Sequence, residues 1–279
     1  GGIGSTMFTV SAMALLVRMA PPLIRGRVSS MYGSAFLIGG VIGPVIGGAL
    51  GELGMRVPFV VYGVALLLAA ALVATMLRGT PVRADPLQGA LPPMTVREAL
   101  GDSAYRAALV SAFANGWTNF GVRVAILPLF AVAVVGETWA AAVALAAGAA
   151  ATAITLQFSG RIADTLGRRR PILVGLGLSA VGMGAMGLAG GLVGILVLTT
   201  VLAAGAGLLN PAQQATVADV VGNGRSGGKV LAAFQMCQDA GGIGGPVVIG
   251  AVADLWGWQW AFALSGLVSA LAILPWLRA

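Results

Sequence analysis

The chain contains no histidine and one cysteine, Cys237. Histidine-based acid–base catalysis and histidine metal sites are therefore excluded, and a lone cysteine inside an apolar run makes no intrachain disulfide and anchors no metal cluster. Charge is scarce: 9% of the 279 residues are Asp, Glu, Lys or Arg, against about 25% in a soluble globular domain. A chain this short of charge cannot cover its own surface in water. Aromatic residues are few, at 6%. The loops carry no phosphate-binding motif, no metal-ligand cluster and no nucleophile beside a base, so neither an enzyme nor a cofactor or metal is expected.

Hydrophobic residues, at 58%, and 43 glycines fill the space that charge leaves. Small residues let membrane helices approach closely. A membrane helix needs roughly 20 mostly apolar residues. Nine runs meet that length, at about 1–20, 31–50, 58–77, 107–135, 140–159, 172–190, 192–219, 230–252 and 259–277. Sixth and seventh join at Ala189-Gly190-Gly191. The net charge of +7 does not point to nucleic acid, because the basic residues form no single patch. They fall in alternate loops: Arg25, Arg27, Arg78, Arg83, Arg97, Arg106, Arg161, Arg168, Arg169, Arg170, Arg225, Lys229 and Arg278 in one set, Arg56 alone in the other, with Arg18 and Arg123 inside runs. The rich set is cytoplasmic by the positive-inside rule, which puts the C-terminus inside and the protein in the plasma membrane. A stretch rich in proline and mixed charge, 79–104, reads as a cytoplasmic linker between helices in 1–78 and a bundle in 105–279.

The sequence repeats itself at a separation of about 202 residues, measured on Gly39 and Gly241. Gly39-Gly40-Val41-Ile42-Gly43-Pro44 aligns with Gly241-Gly242-Ile243-Gly244-Gly245-Pro246, Gly48-Ala49 with Gly250-Ala251, and, after one insertion, Gly54 and Phe59 with Gly257 and Phe262. Runs one to three thus correspond to runs seven to nine. Such repeats are typical of transporter folds, with the substrate site between the halves. Equivalent halves would place three further helices before Gly1, giving six plus six.

The motifs resemble those of the major facilitator superfamily. Gly39-x3-Gly43-Pro44-x2-Gly47-Gly48 is similar to the fifth-helix signature of its drug:proton antiporters, and Gly160-Arg161-Ile162-Ala163-Asp164-Thr165-Leu166-Gly167-Arg168-Arg169 to its loop signature G-x-x-x-D-x-x-G-R-[RK]. The resemblance covers the whole chain as helices four to twelve of a twelve-helix, all-α transporter lacking its first three. It implies that the fifth helix meets the eighth, here rich in Ala146, Gly148 and Ala149, and that Asp164 latches against helix five near Ser29 and Ser30. Gly160 and Gly167 read as allowing a tight turn in that loop, and without a second helix Gly241 and Gly245 are expected to meet lipid. Ordinary small-residue packing and a solvated loop acid are the alternatives.

Ionisable groups at membrane depth are costly and point to function. Asp239 lies ten residues after Lys229, roughly 15 Å along its helix. Arg123 lies inside its run, four residues after Asn119 and eight after Asn115, so the three share one helical face. An Arg123–Asp239 pair could bind and release a proton as the two separate; a fixed structural pair is the alternative. Asn115, Trp117, Asn119, Asn210, Gln213 and Gln235 form a candidate cavity for an amphipathic solute. The expected function is alternating-access transport of a small organic solute, with protons as coupling ion, as drug or metabolite efflux by a monomer in lipid. A proton-linked uptake carrier, a non-transporting membrane sensor and an inactive fragment remain as alternatives.

Overall fold

The computed structural model describes residues 56–77, 92–222 and 227–279, with Gly4, Gly39, Ile46, Leu50 and Gly54 besides. These residues form helices and no strand. The chain divides into two compact units, Gly1–Leu87 and Gln88–Ala279, a division that falls inside the expected linker.

In the first unit, α1 (Val57–Leu77) is a 21-residue helix of Val, Leu and Ala on every face. A helix apolar all round suits lipid rather than water. Gly54 precedes it with φ +131°. In the aligned repeat, Gly257 stands before the helix of Phe262 with φ +84°. Both positions need a left-handed backbone, which glycine adopts without a Cβ clash, so the paired glycines of the repeat share a backbone role.

The second unit opens with α2 (Val96–Ala99), held by a capping box in which Thr95 and Glu98 each bond the other's backbone N–H. Asp102 caps α3 (Ser103–Asn115) by accepting from the Ala104 amide at 2.8 Å. The helix then changes ladder to a π segment (Gly116–Val122) and continues as α4 (Arg123–Ala125) and α5 (Leu127–Val135). The 29-residue run expected at 107–135 is thus one span bent by 40° beside Pro128, the residue that removes a backbone donor. After it come α6 (Trp139–Leu166), α7 (Arg169–Gly184), a short 3₁₀ turn (Met186–Leu188), α8 (Leu192–Val221), α9 (Gly228–Trp256), α10 (Trp258–Leu271) and α11 (Leu274–Leu277). Ala189–Gly191 is the break expected between the sixth and seventh runs.

Among the described residues, five helical stretches are long and apolar enough to cross a membrane, and the bent pair makes a sixth. The protein is an all-α integral membrane protein. α9 is long enough but falls outside that set, because glycines, Lys229, Asp239 and Asp254 dilute its apolar residues. α8 packs on α6 and α7, α9 on α3 and the π segment, and α10 on α7 and α9. One buried cluster gathers Tyr105, Ile172, Leu176, Leu209 and Phe234, the other Phe130, Met183, Leu202, Ile249 and Phe262. Apart from Gly4, Gly39, Ile46 and Leu50, the expected runs 1–20 and 31–50 lie outside the described residues.

Candidate functional site

Asn115, at the end of α3, and Asn119, in the π segment, are 1% and 4% exposed. Asn119 Nδ2 donates to Asn115 Oδ1 at 3.0 Å, Asn115 Nδ2 donates to Asn210 Oδ1 at 2.7 Å, and Asn210 Nδ2 donates to the Ala206 carbonyl at 3.0 Å. Each bond fixes the orientation of the next amide, so three residues separated by up to 95 positions form one chain linking the π segment to α8. Bonds of this kind each contribute about 0.5–1.5 kcal/mol net. Asn119 Oδ1 and, on the same helix as Asn210, Gln213 Nε2 are buried with no hydrogen-bond partner. An unsatisfied buried polar atom costs about 1–3 kcal/mol, and polar atoms left open at membrane depth mark functional positions.

The structure thus brings together three of the six expected cavity residues. Trp117 goes elsewhere: it is 8% exposed, lies against Gly245 of α9, and its Nε1 donates to Ser265 of α10 at 3.3 Å. It fills the space between helices instead of facing an opening. Gln235 Nε2 donates to Asp239 Oδ1 at 3.0 Å on an exposed face of α9.

Arg123 and Asp239 are not brought together. Arg123 Nη1 donates to Thr152 Oγ1 of α6 at 3.4 Å, whereas Asp239 takes its hydrogen bond from Gln235. The sides they face are the reason: Asn115 and Arg123 reach toward α8 and α6, whereas α9 packs on the Gly116 and Gly121 side of the same span and Asp239 is exposed.

The same segment sits backbone against backbone on α9. A Cβ on Gly116 would strike the Gln238 carbonyl, one on Gly241 the Phe113 carbonyl, and one on Gly121 would stand 2.8 Å from Pro246 Cδ. Gly241 and Gly245, expected to face lipid in the absence of a second helix, are instead buried inside this unit. Gly148 likewise faces α8, with Thr199 Cγ2 3.0 Å from its Cβ position, while Ala146 is exposed.

In the signature at 160–169, α6 runs on through Leu166, so Gly160 lies within the helix and not in a tight turn. Gly167, with φ +79°, makes the turn alone. Arg168 Nε meets Asp219 Oδ2 of α8 at 3.2 Å, and Arg169 Nη2 donates to the Leu277 carbonyl at 2.9 Å. These contacts draw the α6–α7 turn, the end of α8 and α11 to the end of the unit where α3 begins. An open cavity of about 370 Å³ lies there, lined by Asp102, Arg168, Arg169, Asp219 and Trp276; it is separate from the asparagine chain. The side chain of Asp164, and with it the latch on Ser29 and Ser30, lies outside the described residues, as do Gly43, Pro44, Gly47 and Gly48. Gly39 is helical and exposed.

Sequence reasoning missed the π segment and the glycine seam with α9. A signal for the seam was present: Gly116 and Gly121 stand on one run and Gly241 and Gly245 on another, small residues at which helix backbones can approach.

The family model described as Major Facilitator Superfamily matches residues 1–227 and 118–279. The two matches overlap, as an internal repeat would allow. An uncharacterized MFS-type transporter of Mycobacterium tuberculosis is 30% identical over 131 residues, which cover 45% of this chain and 22% of the relative. A crystal structure of a mutant peptide transporter, POT, in complex with sulfate superposes with a TM-score of 0.59 at 19% identity, covering 70% of this chain and 41% of that one. The chain therefore spans less than half the length of either protein.

Proposed function

The chain belongs to the major facilitator superfamily, and from that membership we propose that it moves a small organic solute across the membrane by alternating access, as a secondary transporter and not an enzyme. The observation that carries this reading is the asparagine chain of Asn119, Asn115 and Asn210, which joins the π segment to α8 inside the bundle. A solute with donors and acceptors satisfies the open Asn119 Oδ1 and Gln213 Nε2.

The finer reading is proton-coupled efflux across the plasma membrane, by a monomer with its C-terminus in the cytoplasm. The fifth-helix motif around Gly43 and Pro44 supports the direction, and Asp239, the one acid in the interior of an apolar run, supports the ion. The gathering of Arg168 and Arg169 at one end of the unit supports the orientation. Proteoliposomes carrying an imposed pH gradient test it. Solute accumulation should follow the gradient, and Asp239→Asn should abolish that dependence while leaving exchange of solute for solute. Accumulation that ignores the gradient would discard proton coupling and keep transport.

A further inference from the structure

Among the described residues, Arg123 is the one cation placed in the interior of the second unit. Its Nε lies 3.8 Å from the Cβ position of Gly148, and its Nη1 reaches Thr152 Oγ1 at 3.4 Å. That single long contact is to a hydroxyl which also bonds the Gly148 and Ala203 carbonyls, at 3.0 and 3.2 Å. No carboxylate among the described residues bonds the guanidinium: Asp239 is held by Gln235, and Asp219 by Arg168 at the end of the bundle. A guanidinium at this depth is expensive without an anion.

One independent feature adjoins it. Thr199, whose methyl also touches the Gly148 position, is fully buried and its hydroxyl has no partner. Gly148 supplies no side chain at the point where Arg123 and Thr199 meet. We propose that Arg123, flanked by Thr152 and Thr199, binds the carboxylate of the transported solute, which is an organic monoanion. The planar fork of arginine suits a carboxylate. A single cation balances one charge; a phosphate monoester carries nearly two and would need a second, and the other described basic residues of this unit, such as Arg106, Arg168 and Lys229, lie at helix ends. The proposal rests on the transport reading and names its substrate class.

The test uses the full-length gene product in lipid nanodiscs, with benzoate and benzamide as a matched pair of probes and intrinsic tryptophan fluorescence as the readout. Benzoate should bind at least about tenfold more tightly than benzamide, and Arg123→Gln should remove that preference, with Arg123→Lys restoring part of it. Without probe, Arg123→Gln should unfold at the same temperature as the parent or higher, because an uncompensated charge is removed. Equal binding of the two probes, no binding of benzoate, or a preference that survives Arg123→Gln overturns the proposal. So does a fall in unfolding temperature in Arg123→Gln, the mark of a guanidinium already paired within the chain. Counterflow of labelled benzoate in proteoliposomes separates the two readings. Binding without counterflow contradicts transport and keeps the carboxylate site. Counterflow of benzamide that Arg123→Gln leaves untouched does the reverse.

Discussion

Between α7 and α8, Gly175 and Gly205 face each other so closely that a Cβ on either would stand 2.6–2.7 Å from the other's carbonyl oxygen. On the face of α9 that meets α3 and the π segment, Gly116 and Gly241 bring the backbones nearer still, while Gly121 and Gly245 leave 2.9 Å to the facing carbonyls. The surroundings differ. The first seam joins two α-helices and is flanked by buried Leu176, Leu202 and Leu209, with the Arg168–Asp219 contact at its end. The second includes the change of ladder at Gly116–Val122, a tryptophan that reaches across to Ser265, and Asn115 and Asn119 on the adjoining face. Close approach is therefore common packing in this unit, worth van der Waals contact. A non-α ladder beside buried amides occurs at the second seam, the place where a functional departure from regular geometry is expected.

The largest effect should come from filling either seam. Gly205→Ala and Gly241→Ala each push a methyl into backbone that cannot rotate away, and both should destabilise by about 1–3 kcal/mol or prevent folding. Thermal unfolding in detergent reads this. The comparison is sharpened if Gly205→Ala retains solute binding in the surviving folded fraction and Gly241→Ala does not. Next is Asn115→Leu, which breaks both amide bonds and strands Asn210 Oδ1. The cost should be about 1–3 kcal/mol in stability, with solute binding lost; binding unchanged would make the asparagine chain mere packing. Arg168→Gln should matter least. Its partner Asp219 is 61% exposed and Arg168 itself 35%, so solvent screens the pair and the loss should stay below about 1 kcal/mol.

The helices were legible because apolar runs in a membrane chain have little else to do: 58–77 became Val57–Leu77, 192–219 became Leu192–Val221, and 230–252 extended to Gly228–Trp256. Asn115, Asn119 and Asn210 were legible as candidates because amides stand out in such runs, and the structure joins them by hydrogen bonds. Their pairing was not, since Asn210 is 95 residues from Asn115 and the contact exists only after α8 folds back. Arg123 and Asp239 illustrate the other limit. Charge alone suggests a pair, but Arg123 reaches α6 while α9, which carries Asp239, packs on the glycine side of the same span, and which neighbour covers which side is not written in the spacing. Gly160 was misplaced for a simpler reason: a glycine in a signature reads as a turn, while α6 had residues enough to continue through it to Gly167.

Alternating access is the central claim, and Asn210 is the place to test it, because it is partly exposed while its partner Asn115 is buried. Cys237, the single native cysteine, is replaced by serine, Asn210→Cys is introduced, and a membrane-impermeant maleimide is applied to right-side-out and to inverted vesicles. The account predicts labelling from both sides, slowed in each by bound solute. Labelling from one side alone, or from neither, in protein that remains folded would contradict it.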